Sequence, residues 1–129
     1  MATNFYYNFM YVDRSSETES PQILTFHSTP EWNAHFKALK ETDKLMVVNF
    51  TATWCGPCKL MDPVIQEFAA KYTDVEFIKV DVEELMEVSQ AFKVQALPTF
   101  ILVKRGKVAD KSVGVRKEEL KRMIEKHRK

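Results

Sequence analysis

Only two thiols occur in this chain of 129 residues, and they lie three positions apart in Trp54-Cys55-Gly56-Pro57-Cys58. Cysteines at that spacing can close a small disulfide ring with little backbone movement, and the ring reopens when thiols and disulfides exchange. An apolar run from Leu45 to Phe50 leads into the motif, and a helical pattern from Cys58 to Tyr72 leads out of it. A Cys-x-x-Cys at such a strand-to-helix junction reads as a dithiol–disulfide redox site. The attacking species in exchange is a thiolate, and unpaired N–H groups at a helix start stabilise an anion. Cys55 is therefore expected to be an exposed, readily ionised nucleophile. Cys58, one turn inside and shielded by Trp54 and the apolar residues that follow, is expected to be the resolving thiol. Gly56 lets a substrate backbone approach closely, and Pro57 fixes φ where a backbone donor would go unpaired.

Other chemistries fit these residues less well. A structural zinc site wants four ligands, and only Cys55, Cys58 and the scattered His27, His35 and His127 are at hand, so no metal is expected. Two inert core cysteines leave the intervening Gly-Pro unexplained. A non-redox binding module or holdase is the standing alternative, because a fold does not dictate its function. Ala96-Leu97-Pro98-Thr99-Phe100 adds a second constellation, with a proline at the first position of a strand. A cis Leu97–Pro98 bond would expose the Leu97 backbone to an extended substrate segment, although trans is the commoner form of such bonds.

These residues need elements to hold them, and the pattern after Pro21 alternates strand and helix. Ile23 to His27 reads as a short strand. Thr29 and Pro30 open a helix through Thr42, with Trp32, Phe36 and Leu39 on one face. Leu45 to Thr51 reads as a central strand buried on both faces. Pro63 removes a donor inside the Cys58 helix and should kink it. Val75 to Val80 is a strand, and a helix from Glu83 or Glu84 to Phe92 carries acidic residues at its positive end. Thr99 to Lys104 and Lys107 to Val113 flank Arg105-Gly106 as an antiparallel hairpin. Arg116 to His127 closes the chain as a helix with Leu120, Met123, Ile124 and His127 on one face. His127 is expected to pack rather than to ligate. Helices between strands imply crossovers and a sheet covered on both sides.

Length suits one domain with one core. The formal charge of +1 gives no field favouring nucleic acid or a membrane surface. The basic residues of the last helix alternate with Glu118, Glu119 and Glu125, as on a solvated face. Apolar runs are too short to span a bilayer. With no cysteines left for staples, the composition fits a reducing compartment. Residues 1–20 form an expected flexible extension ahead of a domain at 21–129: Phe5, Tyr6, Tyr7, Phe9 and Tyr11 precede a polar, linker-like Ser15 to Pro21. No secretory signal is evident, and Ala2 after the initiator excludes N-myristoylation.

Taken together, Thr53-Trp54-Cys55-Gly56-Pro57-Cys58-Lys59, the helix proline Pro63, Lys79-Val80-Asp81, Ala96 to Phe100, Gly106 and Val113-Gly114 resemble the thioredoxin family over residues 22–127. The phrases FTATWCGPCK, KYTDVEFIKVDV and FILVKRGK are most similar to plant cytosolic h-type members with an N-terminal extension. The resemblance implies an α/β thioredoxin fold, a central mixed five-stranded sheet in the order β1-β3-β2-β4-β5 flanked by four helices. It implies a cytoplasmic, monomeric protein-disulfide reductase with Cys55 and Cys58 as catalytic dithiol and no bound cofactor. It implies a cis Leu97–Pro98 bond and a substrate groove lined by Trp54, Gly56, Pro57, Leu97, Pro98, Val113 and Gly114. Partners would be disulfide-containing proteins, with thioredoxin reductase or glutathione and glutaredoxin as electron donor. One departure stands out. Where the family usually buries an Asp that accepts the resolving thiol's proton, near a lysine matching Lys79, this chain has Asn49, an amide without usable basicity.

Overall fold

A computed structural model describes residues 23–129; the expected extension at 1–20 lies outside the described residues. The elements run β1 (Ile23–Thr25), α1 (Thr29–Leu39), β2 (Met46–Thr51), α2 (Gly56–Lys71), β3 (Glu76–Asp81), α3 (Met86–Ala91), β4 (Thr99–Lys104), β5 (Lys107–Val113) and α4 (Lys117–His127). The sheet order is β1-β3-β2-β4-β5, as the resemblance implies. β3 pairs parallel with β1 and β2, whereas β4 pairs antiparallel with β2 and β5. The connections make the sheet mixed: α1 and α2 return the chain in the same direction, the α3 connection delivers β4 antiparallel to β2, and Arg105-Gly106, both at positive φ, turn β4 back into β5.

Every residue of β2 is buried, so the apolar run does become the central strand. Strand alternation divides its side chains between two cores. Val47 and its β3 neighbour Phe77 pack with Met61, Ile65 and Phe68 of α2 and Leu120 and Ile124 of α4. Val48, Phe50 and Ile78 pack with Trp32 of α1 and Val88 of α3. Trp32 and Phe92 meet edge to face with centroids 6.0 Å apart. On the α2 side the apolar pattern gives way toward the strand ends. Val47 is followed at the same parity by Asn49 and Thr51, and Phe77 by Lys79 and Asp81. That polar continuation lies along the strand ends that lead to the dithiol.

Several boundaries differ from the sequence reading. β1 stops at Thr25, and α1 stops at Leu39, where Lys40 and Thr42 bond back to Phe36 and Leu39 carbonyls. Its start is set by Ser28, whose hydroxyl accepts the Glu31 N–H. α3 begins at Met86, later than expected. Asp81 Oδ1 accepts the backbone N–H groups of Glu83 and Glu84 at 2.8 and 3.4 Å, and this turn keeps both residues out of the helix. Helix α2 continues through Pro63. On α4, Leu120 and Ile124 are fully buried, while His127 Nε2 faces Asp110 of β5 at 3.0 Å. His127 is thus a half-buried packing residue with a polar partner.

Candidate active site

Cys55 is the N-cap of α2, in extended conformation at the end of the β2 connection. Its Sγ accepts the Cys58 N–H at 3.2 Å. This is the helix-start geometry that favours negative charge on sulfur. Cys55 and Cys58 are joined as a disulfide, with Cα atoms 5.3 Å apart. Pro57 occupies the first turn, where no intrahelical donor is needed. A Cβ added at Gly56 would meet nothing within 4 Å, so the glycine leaves clear space above the motif.

The expected contrast between an exposed Cys55 and a shielded Cys58 does not hold in the disulfide form. Cys55 is 4% and Cys58 3% exposed, and both cluster with Ala52, with Val82 and Leu97 packed against them. Trp54 is itself 65% exposed, and its indole N–H donates to Glu83 Oε2 at 3.0 Å. What separates the two cysteines is the space each one faces. Cys55 lines a groove of about 690 Å³. Cys58 lines a different cavity of about 250 Å³, with Asp62, Lys79 and Asp81.

Trp54, Gly56, Pro57 and Leu97 line the groove as expected. Val82, Met86, Gln90 and Val94 form a wall that sequence reading did not include. Pro98, Val113 and Gly114 lie together but are not among that groove's lining residues. Val113 pairs with Thr99, and Gly114 donates its N–H to Pro98 O at 2.9 Å. Gly114 has φ +96°, a conformation L side chains rarely adopt. The Leu97–Pro98 peptide bond is cis.

Asn49 is 5% exposed and pairs in register with Lys79 of β3. Its Oδ1 accepts no hydrogen bond from the described residues. Among those residues no group of three or more His, Cys, Asp or Glu side chains could hold a metal ion. No helix among them is long and apolar enough to cross a membrane.

A dithiol at a helix start, set beside an apolar groove, is the arrangement of a protein that exchanges its own disulfide with those of partners. The sequence profile of the family described as Thioredoxin matches residues 25–126. Thioredoxin H2 of Arabidopsis thaliana is 46% identical over 113 residues, covering 88% of this chain and 85% of that protein. Thioredoxin H-type 1 of Nicotiana tabacum is 46% identical over 118 residues, covering 92% and 94%. Among solved structures, thioredoxin NaTrxh from Nicotiana alata superposes with a TM-score of 0.84 at 52% identity, covering 89% of this chain and all of that one. The chain belongs to the thioredoxin family. It is a thiol–disulfide oxidoreductase that reduces disulfides in proteins, with Cys55 and Cys58 in the position of the family's dithiol.

Proposed function

We propose that Cys55 is the nucleophile and Cys58 the resolving thiol of this reductase. In the reduced protein, Cys55 thiolate attacks one sulfur of a target disulfide and forms a mixed disulfide. Cys58 then attacks the Cys55 sulfur, the reduced target leaves, and the Cys55–Cys58 disulfide remains. The observation that carries this assignment is the placement of Cys55. Its sulfur accepts a backbone N–H at the start of α2 while the same residue lines the apolar groove. The N–H groups of the helix start favour the thiolate, and the groove brings a substrate to it.

The groove would take an extended target segment, with Trp54, Gly56, Pro57 and Leu97 lining it and an exposed Val113 and half-buried Gly114 beside the buried Pro98. Similarity to h-type relatives supports a cytoplasmic, monomeric protein that takes electrons from thioredoxin reductase or from glutathione and glutaredoxin. It also supports a role in electron transport and cell redox homeostasis. The catalytic domain is residues 21–129, with residues 1–20 as an extension.

The test is reduction of insulin by the full-length protein with dithiothreitol as electron source. Turnover above the dithiothreitol background supports the reductase reading. Binding of insulin without turnover would favour the holdase alternative. Replacing dithiothreitol by each candidate reducing system in turn identifies the donor.

A further inference from the structure

The substrate groove serves Cys55, but Cys58 borders a space that shares none of its lining residues. That second cavity, about 250 Å³, is lined by Cys58, Asp62, Lys79 and Asp81, together with Thr51 and its neighbours. At about 30 Å³ per molecule of liquid water, it has room for several. The polar ends of β2 and β3 and the first turns of α2 supply its walls. Asn49, one pleat deeper on the same face as Thr51, brings only an amide to that side of the sheet.

We propose that Asp62 is the proton acceptor for the Cys58 thiol in the resolving step. Asp62 lies four residues after Cys58 on α2, so the two side chains occupy the same helix face one turn apart. Both also border the same cavity. Among the other charged groups there, Asp81 sits on β3 rather than one helical turn from Cys58, and its Oδ1 already accepts the N–H groups of Glu83 and Glu84. Lys59 and Lys79 are cations, which donate and do not accept. The proposal rests on the assignment of Cys58 as resolving thiol. As Cys58 sulfur attacks Cys55 sulfur, the bond between them forms and the Cys55–target bond breaks. The electron pair of the broken bond leaves on the target sulfur as a thiolate. The Cys58 proton passes to the Asp62 carboxylate, and from this half-buried position on to solvent. The base that the family holds on β2 has in this chain moved to α2.

The experiment is a single-turnover reaction of the reduced full-length protein with glutathione disulfide, quenched in acid and resolved by mass spectrometry across a pH series. In Asp62→Asn, formation of the Cys55 mixed disulfide should match the parent, and its decay should slow by roughly tenfold at neutral pH. That lies below the ~10²–10⁴-fold of an ideally placed base, because the transfer crosses solvent. The defect should fade as rising pH ionises the thiol unaided, and Asp62→Glu should recover part of the rate. Decay at the parent rate, or slowing by the same factor at every pH, would overturn the role of Asp62. Comparing Cys58→Ser with Cys55→Ser separates this failure from failure of the underlying assignment. A glutathione adduct that forms on Cys58 in the second variant as fast as on Cys55 in the first removes Cys58 as resolving thiol, whatever Asp62 does.

Discussion

Replacing Asn49 by Asp puts the family's usual carboxylate back into a site that now holds a neutral amide, and the structure sets what this should cost. Asn49 is 5% exposed, and its Oδ1 has no hydrogen-bond donor among the described residues to receive a charge. Lys79 is its register partner, but that side chain is exposed and water screens it. Desolvation should therefore dominate and raise the introduced carboxyl group well above the ~3.9 of an unfolded aspartate, by up to ~3–5 units when burial is complete. Taking ~3 units at ~1.4 kcal/mol each, Asn49→Asp loses ~4 kcal/mol. A domain's total stability is only ~5–15 kcal/mol. The sign follows from proton counting. Between the unfolded and folded values the native state holds the extra proton, so stability falls as pH rises. The variant should match the parent near pH ~4, diverge from it up to pH ~7, and run parallel to it above. Urea unfolding of the oxidised forms of both proteins across this range measures the gap. A gap that is flat with pH, or below ~1 kcal/mol throughout, would refute the view that this site excludes a charge. The same substitution should also speed mixed-disulfide decay in an Asp62→Asn background, because it supplies another acceptor.

Glu83→Ala releases the Trp54 indole from its 3.0 Å bond; stability should change by less than ~1 kcal/mol. Trp54 fluorescence should shift, and the rate with a protein disulfide should drop more than the rate with glutathione disulfide. Tyr72 is buried and donates its hydroxyl to Glu125 at 2.7 Å. Burial, followed by that bond and the Glu125 charge, pushes its phenol from 10.0 up to about 12. The unfolded chain thus loses this proton first, so stability should fall with rising pH between those values. Tyr72→Phe should lose ~1 kcal/mol at neutral pH and abolish the late phenolate step in ultraviolet titration. Removing residues 1–20 should leave turnover of a small disulfide unchanged, and sedimentation of the two forms reports whether the extension alters association.

The parts of the molecule that were plain in the sequence are those fixed by local pattern. The apolar run of β2, the Cys-Gly-Pro-Cys at its exit and the Arg105-Gly106 turn each state their structure within a few residues. The Leu97–Pro98 conformation did not come from local physics, which favours trans; only the resemblance implied cis. The start of α3 was missed because acidic residues before a helix also suit a helix end. Nothing local shows that Asp81 will claim their N–H groups. The groove wall at Val82, Met86 and Gln90 is separated from Cys55 by about thirty positions, and single-sequence periodicity does not say which elements will meet. Asp62 carried no motif of its own. Its significance appears only when the helix face, the cavity and the amide at Asn49 are seen together.

Capture of mixed disulfides reads out the division of labour between the two thiols. Cys58→Ser and Cys55→Ser variants are each exposed to oxidised target proteins, and covalent adducts are mapped by mass spectrometry. Adducts are expected through Cys55 in the first variant, with few or none through Cys58 in the second. Equal capture through Cys58 would overturn that division, since Cys58 faces the separate, smaller cavity and only Cys55 lines the groove.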